Sequence, residues 1–117
     1  MQTQQQQAMK AYSAAASLRS LREQEADIFR RVNAGLRAAG EGGGKVARVR
    51  ALADNDRLWL AVLGLVRDPA NALPAPLRAA LVSVGLAVQR EMQRDAPDFA
   101  FLAAVNENVA SGLSSQG

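Results

Sequence analysis

Apolar residues recur along this chain at steps of three and four, and no stretch alternates apolar with polar. That pattern predicts helices throughout. The densest part is Asn55-Asp56-Arg57-Leu58-Trp59-Leu60-Ala61-Val62-Leu63-Gly64-Leu65-Val66, which holds the only Trp and the longest apolar run, residues 58–66. That run is far shorter than the roughly 20 apolar residues a bilayer span needs, so membrane insertion is not expected. From Leu58 onward nearly every face is apolar, so other helices are expected to wrap this one. Leu52, Asn55, Trp59, Leu63 and Val66 fall on one stripe. Asn55 therefore places a polar amide within an apolar face.

The flanking elements follow from the same spacing. Residues 1–7 are Gln-rich and read as a flexible tail; residues 8–18 suit a short helix with Tyr12 as a half-buried anchor. Ser20-Leu21-Arg22-Glu23 has the form of a capping box, which predicts a new helix start there. Its stripe is Leu21, Ile28, Val32 and Leu36, with Asp27 able to pair with Arg30 or Arg31 outside. Gly40-Glu41-Gly42-Gly43-Gly44 ends that helix in a flexible hairpin. It precedes Lys45-Val46 with no preceding strand, so the Gly-Lys-Ser/Thr pattern of a phosphate loop is missing.

The central helix is predicted from Lys45 to about Arg67, its first half amphipathic through Val46, Val49, Leu52 and Ala53, with Asp54 and Arg57 as an exposed pair. Prolines 69, 74 and 76 stiffen the connector that follows, and Pro76 suits the first turn of the next helix. That helix runs to about Arg94 with Leu77, Leu81, Val84, Val88 and Met92 inward. Gly85 within it costs roughly 1 kcal/mol relative to Ala, which points to close approach of a neighbour, with Trp59 the candidate. Residues 95–98 make a turn, and Phe99, Leu102, Asn106, Val109 and Leu113 form a last stripe before a frayed end at 114–117. Asn106 repeats the anomaly of Asn55. The fold class is therefore all-α: one domain over residues 8–113, a small bundle of four to five helices around the Trp-bearing helix.

Composition narrows the chemistry. At 117 residues and 49% apolar content the chain can bury one core, yet only 4% of it is aromatic, so Ala, Leu and Val must fill that core. There is no Cys, which removes disulfide and thiol chemistry and suits a reducing cytoplasm. There is no His, which removes the commonest metal ligand and general base. Residues 1–4 lack the basic-then-apolar pattern of a signal peptide. The net charge is +3, and the fourteen basic residues, only Lys10 and Lys45 being lysine, are spread among acids. Such a surface lacks the basic stripe and stacking aromatics of a nucleic-acid binder, so direct nucleic-acid binding is disfavoured.

No constellation looks catalytic. The carboxylates sit at caps and in surface pairs, Ser20, Ser83 and Ser111 have no base near in sequence, and no stretch gathers oxygens for a metal or cofactor. An enzyme is not expected. What remains is Asn55, Arg57, Asn106 and Asn108. Two readings stand side by side. Asn55 and Asn106 could pair in a buried network that fixes two helices in register. Alternatively, these groups could line a groove that meets a partner. Trp59 likewise reads as core or as part of a binding surface, its stripe favouring core.

Five stretches in order carry a resemblance: residues 11–15 (Ala-Tyr-Ser-Ala-Ala), 20–26 (Ser-Leu-Arg-Glu-Gln-Glu-Ala), 55–59 (Asn-Asp-Arg-Leu-Trp), 71–79 (Asn-Ala-Leu-Pro-Ala-Pro-Leu-Arg-Ala) and 102–109 (Leu-Ala-Ala-Val-Asn-Glu-Asn-Val), the last followed by Gly112-Leu113. Together they resemble the FlaF family of bacterial flagellar biosynthesis regulators over about residues 8–113. Two departures are Leu21, where the family often has Pro, and the Gly42-Gly43-Gly44 loop. The resemblance implies a cytoplasmic, non-enzymatic factor that binds flagellin as a chaperone, supports its synthesis and export, and acts with a second regulator, FlbT. It makes Asn55, Arg57, Trp59, Arg78, Asn106 and Asn108 the candidate partner-binding or motif positions. A helical domain with an aliphatic groove suits amphipathic flagellin termini by helix-in-groove packing. The competing readings are an RNA-binding regulator of flagellin message and a helical adaptor module. Salt dependence separates the first of these, because contacts to several phosphates weaken steeply with salt.

Overall fold

The computed structural model describes the backbone of residues 3–70 and 73–115, and the side chains among them apart from 10–25 and 113–115. The described residues form four helices and no strand: α1 Gln4–Gly40, α2 Lys45–Arg67, α3 Ala75–Met92 and α4 Phe99–Ser115. The predicted all-α bundle is the observed one, with corrections at its N-terminal end.

Two helices were expected before the glycines, and α1 is one continuous helix of 37 residues. No Gly or Pro interrupts residues 4–34, and an Ala-rich stretch propagates a helix readily. The Ser20 box could act only if Ser20 left helical geometry, and it lies in the helix interior. The capping box is instead at Thr3: the Gln6 amide donates to Thr3 Oγ1 at 3.2 Å, and the Thr3 amide donates to Gln6 Oε1 at 3.0 Å. Residues 4–7, expected within a flexible tail, thus belong to α1. At the other end Ser114 and Ser115 belong to α4, and 116–117 lie outside the described residues. Tyr12 and Leu21 are helical, but their side chains, like that of Leu113, lie outside the described ones.

The inward stripe of α1 is also turned from the expected one. Leu36 is buried and Val32 half-buried as expected, but Ile28 is exposed, and Phe29, Asn33 and Ala39 face the core. Asp27 pairs with Arg30, one of its two predicted partners. The bend after α1 is closed tightly. Gly42 has φ +98°, a conformation side chains disfavour, and a Cβ at Gly43 would meet Ala39 Cα at 2.7 Å. The expected flexible hairpin is therefore a specific turn, held further by Arg48 donating to the Gly43 carbonyl at 3.2 Å.

α2 packs against α1 on one side and α3 on another, while α4 packs on α1 and touches α3 lightly. No Cα of α2 comes within 8 Å of one in α4, so long side chains span the gap between them. The core holds Leu36, Ala39, Ala51, Trp59, Val88, Leu102 and Ala103. Each fully buried Leu or Val here contributes about 1.5–3 kcal/mol relative to exposure. The α2 stripe is as predicted, with Asn55, Trp59, Leu63 and Val66 buried and Leu52 half-buried. The expectation that neighbours wrap α2 fails: Leu60 is 55% exposed and Leu65 54%. Its first half fails likewise, with Val46 71% and Val49 60% exposed. Both departures have one cause: α1, α3 and the bridge to α4 occupy the inward sides only.

α3 ends at Met92, and Pro76 falls in its first turn. Glu91 then accepts from the Asp98 amide at 3.1 Å and from Arg94 at 3.0 Å, tying the end of α3 to the start of α4. Asp98 caps α4 through the Phe101 amide at 3.0 Å.

Gly85 is buried against Leu63, one turn beyond the predicted contact at Trp59. A Cβ there would sit 2.8 Å from Leu63 Cδ2 and 3.2 Å from its Cγ. Gly85→Ala gains about 1 kcal/mol of helix propensity but overpacks by about 1–3 kcal/mol. A net loss near 1 kcal/mol is expected in urea melts. Adding Leu63→Ala should show strong non-additivity between the two sites; simple additivity would contradict the contact.

Candidate functional site

The two anomalous amides meet. Asn55 and Asn106 have no solvent exposure, nor does Trp59. Trp59 Nε1 donates to Asn106 Oδ1 at 2.7 Å, and Asn106 Nδ2 donates to Asn55 Oδ1 at 2.7 Å. Asn55 Nδ2 then donates to Met92 Sδ at 3.3 Å. These three bonds run in one direction, from α2 to α4, back to α2, and on to α3. They are what crosses the wide α2–α4 gap. The arrangement follows from α-helical geometry: Asn55 and Trp59, four apart, stand one above the other on α2, where Asn106 reaches both. Of the two readings left open by the sequence, the buried network matches this geometry; these amides line no groove.

The other candidates do not join them. The Arg57 side chain is 79% exposed and stands 3.9 Å from Asp54, the predicted pair at the edge of contact. Asn108 is exposed on α4. Arg78 is half-buried near the start of α3, and its Nε has no hydrogen-bond partner among the described residues. The six candidates thus separate into a core trio, Asn55, Trp59 and Asn106, and three outlying positions.

Sequence reasoning missed two members of this interior. Met92 was placed in the α3 stripe but not as an acceptor; thioether sulfur is a weak one, which gives no sequence signal. Asn33 is a third buried amide, on α1, with its Oδ1 unpartnered among the described residues. Its signal was available. Phe29, Asn33 and Leu36 have the spacing of a stripe, and reading that stripe through Ile28 hid it.

The outside of α2 offers a different surface. Val46, Val49, Ala53, Leu60 and Gly64 lie at three-, four- and seven-residue steps, opposite Asn55, and all are exposed. Arg50, Asp54 and Arg57 run alongside, and Lys45, Val46, Val49, Arg50 and Ala53 line a shallow open groove. Among the described residues no three of Asp, Glu, His or Cys gather as metal ligands, and no helix is long and apolar enough to cross a membrane.

Compared with known families, residues 8–113 match the model described as Flagellar protein FlaF. Neither the curated proteins nor the solved structures give a match.

Proposed function

Starting from the fact that the chain belongs to the FlaF family of flagellar proteins, we propose that it binds flagellin as a chaperone in the cytoplasm, holding it for synthesis and export. The observation that carries this reading is the large apolar side chains left in solvent. Ile28, Val46, Val49, Leu60, Leu86 and Phe101 are all substantially exposed. Scattered single apolar residues are ordinary on a surface, but several along one helix face are what an amphipathic partner helix needs. Terminal helices of flagellin that stay sticky until assembly have that character. Ordering such a segment on binding lowers the affinity, which suits a cargo that must be released. FlbT is the proposed second partner, acting on the same pathway.

Calorimetry with purified flagellin tests this. Full-length flagellin is expected to bind with a negative heat-capacity change, the signature of apolar burial, and flagellin without its terminal helices to give no heat. Silence from both forms would overturn the chaperone reading.

A further inference from the structure

We propose that the outward face of α2 is a docking site for one amphipathic helix whose apolar stripe is flanked by carboxylates. This inference rests on the flagellin reading and deepens it by naming the surface and the chemistry of its occupant. Three observations converge. First, Val46, Val49 and Ala53, then Leu60 and Gly64, are exposed on one side of a helix of 23 residues, about 34 Å long, with Arg57 between the two groups. Second, this side has no side chain at Gly64: a Cβ there would meet nothing within 4 Å, so a partner backbone can come close. Third, the border is cationic. Lys45, Arg50 and Arg57 border the groove, whose lining holds one acid, Asp54, and exposed Asp56 lies beside Leu60, so the cations still outnumber the acids. Lys45 and Arg50 make no ion pair among the described residues, and the Arg57 contact to Asp54 is a loose 3.9 Å. An apolar stripe beside unneutralised cations selects an apolar helix with acidic shoulders and disfavours one with basic shoulders.

The full-length chain is titrated by fluorescence anisotropy with two designed peptides of roughly 20 residues, the length that covers α2. Both carry one Leu/Val stripe; one is flanked by Glu, the other by Lys. The Glu peptide is expected to bind, and the Lys peptide to bind about tenfold or more weakly. Val49→Glu places a charge in the apolar line and should weaken the Glu peptide about tenfold or more. Arg50→Glu should weaken it as well and Arg50→Lys should restore it. Both positions lie outside the core, so melting should be unchanged; if Val49→Glu alters it, Val46→Glu replaces it. Equal binding of the two peptides, or variants that bind like the parent, overturns the proposal. So does binding of single-stranded RNA that weakens steeply with salt and ignores Val49→Glu. A dimer of the parent in sedimentation that Val49→Glu dissolves also overturns it, because a second copy would then own the face.

Flagellin separates the two levels. If the parent binds flagellin and Val49→Glu does not, both readings are supported. If both bind it equally, this face is excluded and the chaperone reading stands. If neither binds it while the Glu peptide still discriminates, the face stands and the flagellin reading falls.

Discussion

Trp59→Ala is expected to lose about 3–5 kcal/mol of stability and to lower the thermal midpoint by about 10–20 °C. Trp59 is the largest fully buried side chain, and it fills the space where α2 and α4 stand too far apart to touch by backbone. Removing it opens a cavity that small aliphatic neighbours, Ala51 and Ala103 among them, cannot refill. It also strips Asn106 Oδ1 of its donor in a dry interior. Trp59→Phe separates the two effects: most of the ring stays and the N–H goes, so about 1–3 kcal/mol should be lost. Urea and thermal melts of both variants check this. A Trp59→Ala protein that melts like the parent would place the indole outside the core.

Asn106→Leu should be nearly as damaging, losing about 2–5 kcal/mol despite its similar volume. The amide is both acceptor and donor, so its loss orphans Trp59 Nε1 and Asn55 Oδ1 together. Asn55→Leu orphans only Asn106 Nδ2 and releases Met92, an inherently weak acceptor, so about 1–3 kcal/mol is expected. The double variant Asn55→Leu/Asn106→Leu should lose less than the two singles combined, because each removes a group the other would strand. Additive melts would show that the amides do not act as a pair.

The helix class, the Trp-bearing stripe and the two buried amides were legible in the sequence because each is a matter of spacing. Asn55 and Trp59 differ by four positions, and Asn106 interrupts Phe99, Leu102 and Val109 in the same manner. What spacing alone does not carry is which of two plausible stripes wins. On α1 both Ile28 and Phe29 fit a helical period, and the larger ring took the interior. Nor does a capping motif say whether the chain stops there. Ser20-Leu21-Arg22-Glu23 sits in a segment where no residue opposes helix, so propagation won, and the Thr3 box at the true start carried the same pattern. The exposed half of α2 was misread for a third reason. An apolar residue satisfies a periodicity rule whether its neighbour is this chain or another molecule. Asn108 is exposed on α4 and Arg78 is half-buried near the start of α3, neither joining the amide network.

The bend between α1 and α2 has a mechanical implication. Gly42 and Gly43 admit no side chain without strain or collision, and Arg48 hydrogen-bonds the Gly43 carbonyl, so the turn joining the two long rods is sterically specified. If that turn keeps its geometry, a rocking of α2 by about 5° would carry α1 along. Over the roughly 55 Å of α1, such a rotation would sweep its remote tip through about 5 Å.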